Sequence, residues 1–178
     1  MNTILQTQRL IIREWIPKAD AAQVFEMYRD ADVTRFINGM LEKTPEAQQA
    51  RLQKIVDRYA KLNNGTGTWA IVEKETGEIV GNLMLKQLPD NEGNPTQDIE
   101  VGWHLRKVSW GKGYATEGGI AAVNYGFKVL KLPVIYAVVR PENHASIRVT
   151  QRLGMKPMGR TYKYYNCELE LFELVNCY

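Results

Sequence analysis

The sequence predicts a mixed α/β domain built around one sheet. Three observations carry that expectation. Apolar residues recur at helical spacing between Thr44 and Leu62, several short β-type runs lie between turn signals, and a glycine-rich segment at Trp110–Glu117 joins a strand-like run to a helix-like one. A chain of 178 residues is long enough for a substantial core, so residues 1–178 are expected to form a single domain.

Taken in order, Leu10-Ile11-Ile12 is a short strand flanked by Arg9 and Arg13. Ala19–Arg29 reads as a helix, with Ala22, Phe25 and Met27 or Tyr28 at roughly helical spacing and Asp20 as its N-cap. A second helix spans about Thr44 to Leu62, where Thr44-Pro45-Glu46 supplies a cap, a proline at N1 and an acidic first turn. Leu52, Ile55, Val56, Tyr59 and Leu62 form its apolar stripe, and Asn63-Asn64-Gly65 ends it. Trp69–Val72 and Ile79–Leu85 are strands joined through Thr76-Gly77 as a hairpin. The Pro89–Pro95 stretch is expected to be a mobile loop, and Ile99–Leu105 another strand. After the glycine segment, Thr116–Leu130 reads as a helix with Ile120, Val123, Phe127 and Leu130 on its apolar face. Val134–Val139 is almost continuously apolar, which predicts a strand buried on both faces. Asn143–Arg152 is a short helix capped by Asn143 and ended at Leu153-Gly154, and Leu169–Val175 is a final strand, with Leu169–Tyr178 open to pairing between chains. The total is about six or seven strands and about four helices.

Composition narrows the function. Lys+Arg 23 against Asp+Glu 20 gives a formal charge of +3, too mild to argue for nucleic acid but compatible with a local basic patch for an anionic ligand. Cys167 and Cys177 lack metal-type spacing and are expected as free thiols in a reducing compartment, with a disulfide between them as the alternative. Gln6, Gln8, Arg9 and Arg13 interrupt any signal-peptide core, and no apolar run approaches the ~20 residues that cross a bilayer. The default expectation is a cytoplasmic protein with no metal, nucleic-acid or membrane partner.

The segment Trp110-Gly111-Lys112-Gly113-Tyr114-Ala115-Thr116-Glu117 carries the chemistry. Small residues admit close approach to the backbone, and a helix start offers unpaired N–H groups and the positive end of the macrodipole, a setting for a pyrophosphate. A Walker A loop is excluded because Lys112 precedes Gly113 and no Ser or Thr is placed for magnesium. A dinucleotide fingerprint fails too: Thr116 stands at the third glycine, and no acid lies near Pro133. The remaining alternative is a βα turn whose glycines serve geometry alone.

The chain resembles the GNAT N-acetyltransferases. Their acetyl-CoA loop has the form [QR]-x-x-G-x-[GA], matched at Gly113 and Ala115 and departed from at Trp110. The departure resembles the RimJ/RimL ribosomal-protein N-acetyltransferase branch, in which W-G-K-G-Y-A-T-E is common. Four further segments resemble that branch in order: Thr7–Arg13, Ile79-Val80-Gly81, Ile99–Trp103, and Asn143-His144-Ala145-Ser146 followed by Leu153-Gly154-Met155.

The resemblance implies a splayed, V-shaped opening in a mostly antiparallel sheet, and acetyl transfer from acetyl-CoA to an amine. It implies that amides of Gly111, Lys112, Gly113, Tyr114, Ala115 and Thr116 hold the pyrophosphate, with the Lys112 side chain either adding charge there or simply solvated. The pantetheine arm would run along the strand ending at Leu105-Arg106, with Asn143 bonding to it and an amide near Leu105 serving the oxyanion. Glu100 is the candidate base, directly or through water, or alternatively a structural ion pair or amine clamp. The tyrosine that many family members use to protonate the leaving thiolate falls at Thr150, so Ser146 is the candidate donor, or the thiolate leaves unassisted. His104 shares a face with Glu100 and Gly102 and is more readily a structural hydrogen-bonding residue. Tyr162, Tyr164 and Tyr165 lie where an acceptor pocket would form, with strand packing the simpler reading for at least two. Trp15, Phe36 and the segment Arg35–Asn38 would face the acceptor by analogy.

Two acceptor classes compete: a protein N-terminus, as the branch implies, or a small amine, for which Asp90, Glu92 and Asp98 are candidate pocket acids. A reading of another class is a non-catalytic CoA-binding module. Both a monomer and a homodimer are compatible with the sequence.

Overall fold

The computed structural model describes residues 2–37, 39 and 41–177. Its elements run β1 (Thr3–Gln6), β2 (Leu10–Arg13), α1 (Pro17–Arg29), α2 (Ala31–Thr34), α3 (Pro45–Leu62), β3 (Gly67–Glu73), β4 (Ile79–Pro89), β5 (Pro95–Leu105), α4 (Tyr114–Lys128), β6 (Val134–Val139), α5 (His144–Arg152), β7 (Lys156–Thr161) and β8 (Leu169–Val175). The eight strands form one sheet in the order β1-β2-β3-β4-β5-β6-β8-β7. The mixed α/β fold is as expected, with more strands and one more helix: β1, β7 and the single turn of α2 are too short or too polar to show a period.

Alternation along the strands builds two main cores on opposite faces, beside a small third cluster of Leu88, Tyr164 and Leu169. Leu10, Ile12, Ile71, Leu83, Leu85 and Val101 face Ala122, Val123 and Phe127 of α4. On the opposite face Ala70, Val72 and Ile79 pack against Val24 and Met27 of α1 and Leu52 of α3. The Thr44 hydroxyl caps α3 by accepting from the Ala47 N–H at 3.1 Å, and Asn63 ends that helix in the left-handed region.

All adjacent strands pair antiparallel except β5 and β6, which run parallel and meet at one register pair, Glu100 opposite Tyr136. Beyond that bridge the rest of β5 separates from Ala137–Val139, opening the sheet into a V.

Several expectations are corrected. Asp20 is not an N-cap: Ile16 occupies that position, and Asp20 is buried in the helix. Its carboxylate accepts from the Ile16 N–H and, through both oxygens, from the buried Arg13 guanidinium at 2.7 and 2.9 Å. Removing one partner of such a buried pair costs about 3–5 kcal/mol. The Pro89–Pro95 segment is a short ordered turn rather than a mobile loop: β4 and β5 pair up to its two ends, Pro89 opposite Pro95, and the Asp90 carboxylate accepts from the N–H groups of Glu92 and Asn94. Ile120 points outward on α4, whose buried face uses Tyr114, Ala115, Gly118 and Gly119 instead. In β6 only Ile135, Ala137 and Val139 are buried, because the opposite face packs against Tyr164 and Leu169 rather than a helix. Leu169–Val175 pairs with β6 on one side and β7 on the other, so it offers no free edge to a second chain; Tyr178 lies outside the described residues. Among the described residues no helix is long and apolar enough to cross a membrane.

Candidate functional site

A cleft of about 830 Å³ runs through the V from the start of α4 to the face beneath α1 and α3. One end is the glycine loop. After a short 3-10 turn at Lys107–Ser109, Gly111 (φ +75°) and Gly113 (φ +83°) adopt left-handed backbone, and Gly113 is the N-cap of α4 with no side chain capping it. The first amide of α4 to bond back along the helix is that of Glu117, to Gly113 O at 3.0 Å, so the amides ahead of it have no intrahelical acceptor. Gly111, Gly113, Tyr114, Ala115 and Thr116 line the cleft; Lys112 does not. An uncapped, positively polarised helix start framed by glycines fits a diphosphate.

The loop is braced from the far edge of the sheet. Arg9 donates from Nε to Glu117 Oε2 at 2.7 Å, from its amide to Oε1 at 2.9 Å and from Nη1 to Lys112 O at 2.9 Å, while its guanidinium covers the Tyr114 ring. The Thr7 hydroxyl donates to the same carboxylate at 2.6 Å. Burial pushes the Glu117 carboxyl up, but the Thr7 hydroxyl and the Arg9 amide and guanidinium outweigh it and hold it below the usual carboxylate range. In sequence Thr7 and Arg9 lie about a hundred positions from the loop, and nothing local links them to it.

Along the cleft wall, Arg106 N–H donates to Val80 O at 3.0 Å. Since amides of an antiparallel pair alternate in direction, those of Trp103 and Leu105 turn to the open side, toward β6. Trp110, which departs from the loop pattern, donates from its indole Nε1 to Leu105 O at 3.0 Å and ties the loop to the strand end. Arg106 does not line the cleft: its guanidinium bonds Ser109 Oγ and Glu78. Across the V, the Asn143 side chain accepts from the Ser146 N–H at 3.1 Å as the α5 N-cap, and both residues line the cleft. Thr150 is fully buried, bonds back to Ile147 O and lies outside the cleft.

At the other end Glu100 is 5 % exposed. Its Oε1 accepts from Lys86 Nζ at 2.9 Å and from the Tyr165 hydroxyl, while among the described residues Oε2 takes no hydrogen bond. Tyr165 holds left-handed backbone (φ +57°), unusual for an aromatic residue, and burial, then the Glu100 charge, raises its phenol well above the ordinary value. Asn82 Nδ2 donates to the Tyr28 hydroxyl at 3.2 Å, which lies 3.0 Å from His104 Nδ1. The Tyr28 hydroxyl thus bridges the Asn82 amide and the His104 ring. Burial first, then Lys86 and Arg51, lowers His104 to about 4, so it is neutral at pH 7.

Of the three candidate tyrosines only Tyr165 lines the cleft; Tyr164 is buried against Asp98 and Tyr162 is exposed. Trp15 is a core residue, whereas Arg35, Phe36 and Ile37 line the cleft, Asn38 lying outside the described residues. Asp90 holds its own turn, Asp98 pairs with Lys163 at 2.7 Å, and neither they nor Glu92 reach the cleft. Lys86, Tyr28 and Arg51 were missed: each is an ordinary helix or strand residue in sequence, and only sheet register and helix packing bring them to Glu100 and His104.

Residues 9–156 match the family described as acetyltransferase (GNAT) domain. The chain is 30% identical over 172 residues to the uncharacterized N-acetyltransferase p20 of Bacillus licheniformis, covering 96% of this chain and 92% of that one. Among solved structures it is similar to a GNAT-family acetyltransferase from Bacillus anthracis, with TM-score 0.78, 26% identity and coverage of 97% and 98%. It is also similar to a ribosomal-protein-S5-alanine acetyltransferase from Vibrio fischeri, with TM-score 0.77, 21% identity and coverage of 97% and 96%, a likeness of fold alone.

Proposed function

This chain belongs to the acetyltransferase (GNAT) family and is an acetyl-CoA-dependent N-acetyltransferase; on that premise we propose that its acceptor is the N-terminal amine of a protein or peptide, attacking the thioester directly in a ternary complex. The observation that carries the choice of acceptor is the state of the cleft carboxylates. The acids lining the cleft among the described residues are Asp32 and Glu100, paired with Lys107 at 2.5 Å and with Lys86 at 2.9 Å. A polyamine has no unpaired acid to meet. Nor does the cleft offer a free strong base, and an α-amine needs little help. With a pKa of about 7.7–8.0 it is roughly a fifth to a third neutral at pH 7.4, against about one in a thousand for a lysine-type amine. The Trp110–Glu117 resemblance to the RimJ/RimL branch supports the same acceptor.

In this reading the amides from Gly111 to Thr116 hold the diphosphate, and the outward-facing amides of Trp103 and Leu105 meet the arm and the oxyanion. Glu100 receives an N–H of the incoming amine through Oε2, directly or by way of water, while Lys86 and Tyr165 fix its orientation. Ser146, at the start of α5, hydrogen-bonds the departing sulfur and relays to it the proton that the attacking amine loses, so the serine ends neutral and the thiol leaves protonated. The whole chain acts as one domain, in the cytoplasm. Thiol release from acetyl-CoA, measured with unblocked peptides and with small amines, tests the assignment. Mass spectrometry should place the acetyl group on the α-amine, and acetylation confined to small amines or lysine side chains would overturn it.

A further inference from the structure

Buried polar atoms are almost always hydrogen-bonded, so each exception asks for a physical reason. Among the described residues three buried side-chain atoms take no hydrogen bond: Trp15 Nε1, Thr68 Oγ1 and Asn82 Oδ1. Trp15 belongs to the core shared with α1 and α3, but Thr68 and Asn82 both line the cleft. Asn82 is 9 % exposed, and one end of its amide is held by the Tyr28 hydroxyl while the other has no partner. Strand register sets the two residues on one face of the sheet. Thr68 stands opposite Met84 and Ala70 opposite Asn82, so Thr68 and Asn82 are diagonal neighbours across β3 and β4. Such neighbours lie about 7–8 Å apart. Met84, next to both in register, turns its tip over β5: its Cε lies 3.0 Å from where a Cβ on Gly102 would stand.

We propose that Asn82 and Thr68 read the main chain of the acceptor, bonding the N–H and C=O of one of its first peptide groups. This rests on the reading of a peptide acceptor given above and adds how that acceptor is held. The Thr68 hydroxyl both donates and accepts, so the pair matches a group with one donor and one acceptor whichever end of the Asn82 amide is turned to it. A peptide group making one bond of about 2.9 Å on each side spans a gap of this order. Glu100 stands opposite Lys86, two residues along β4 from Met84. An extended chain advancing about 3.3 Å per residue, with its amine at Glu100, therefore reaches the pair within about its first three residues. A free amino acid is too short to do so, and a polyamine has no carbonyl to meet a donor.

The test measures thiol release at fixed acetyl-CoA with an unblocked tetra-alanine amide and three analogues, each with one of its three peptide linkages changed to an ester, which removes a single N–H. The expected result is a KM about tenfold higher for one ester position, with the other two within about twofold of the all-amide peptide. Asn82→Ala and Thr68→Val should each raise KM for the all-amide peptide about tenfold, with acetyl-CoA affinity by calorimetric titration nearly unchanged, and at least one of them should erase the ester penalty. Thr68→Val keeps the side chain's shape and removes a hydroxyl without a partner, so it should melt no lower than the parent. A lower melting temperature would show that hydroxyl already satisfied in the free protein and overturn the inference. Equal KM for all four peptides, or an ester penalty that persists in both variants, would overturn the assignment to Asn82 and Thr68 while N-terminal acetylation stands. Silence with every peptide, acetyl-CoA still being bound, would overturn the proposed function, and this inference with it.

Discussion

Arg9 and Glu117, separated by 108 positions in sequence, form the brace between the β1–β2 turn and the start of α4: amide and guanidinium of one residue grip both oxygens of the other's carboxylate. With Arg9 also on Lys112 O, the pair fixes the curvature of the glycine loop from outside. Glu117→Gln should weaken acetyl-CoA binding about tenfold while lowering stability by only about 1 kcal/mol, the range of a partly exposed charged contact. Calorimetric titration beside thermal melting separates the two effects. Arg9→Lys should behave like Arg9→Ala for cofactor affinity, because an ammonium cannot reproduce the fork.

Gly113 is the N-cap of α4 at φ +83°, and a Cβ there would stand 3.4 Å from Arg9 Nη2. Gly113→Glu should reduce acetyl-CoA affinity on the order of a hundredfold, since it combines left-handed strain with a negative charge at the proposed diphosphate site. Circular dichroism should show the fold retained. Undiminished affinity would rule the loop out as the diphosphate site.

For Glu100, pH discriminates between two roles. If Oε2 accepts a proton, Glu100→Gln slows turnover most at low pH, where neutral amine is scarce. If the carboxylate only orients the acceptor, the loss is uniform across pH. Tyr165→Phe removes the hydroxyl that donates to Oε1 and should move in the same direction by a smaller factor, read from kcat profiles between pH 6 and 9, roughly the range over which an α-amine titrates.

Ser146 and Thr150 make a matched pair on α5, one lining the cleft and one buried outside it. If Ser146 relays the proton to the sulfur as proposed, Ser146→Ala should lower kcat about tenfold or more with acetyl-CoA affinity intact. Thr150→Ala should leave kcat unchanged and alter stability by about 1 kcal/mol. A kinetic defect at Thr150 would relocate the leaving-group step.

His104 ties stability to pH. Its folded value of about 4 lies below the ordinary 6.5, so as pH falls the unfolded chain takes up the proton first. The contribution is complete above about 6.5 and is lost between about 6.5 and 4, amounting at most to about 3 kcal/mol. Denaturant melts across that window should show the decline in the parent protein and a shallower one in His104→Gln.

Local signals revealed the scaffold: Thr44-Pro45-Glu46 capped α3 as written, Thr76-Gly77 turned the hairpin, and Gly111 and Gly113 took left-handed backbone. Such features depend on neighbours in sequence. The brace at Arg9, the Lys86–Glu100–Tyr165 cluster and the Asn82–Tyr28–His104 chain did not show, because each joins elements tens of residues apart through strand register and helix packing. Asp20 misled for the same reason: a carboxylate near a helix start reads as a cap, and only the fold brings Arg13 to it. The departure at Trp110 from the loop pattern became intelligible once its indole was seen on Leu105 O.

The lone bridge between Glu100 and Tyr136 makes the middle of this sheet a seam. Strands on either side are fastened to their own neighbours, but across the seam the backbone leaves donors and acceptors for a guest to complete. An extended molecule with amides along its length, seated there, is in effect a ninth strand, knitting the two flaps into one fabric. Hydrogen exchange in β5 and β6 should therefore slow together when acetyl-CoA is added, and heat should part the empty protein along that line first.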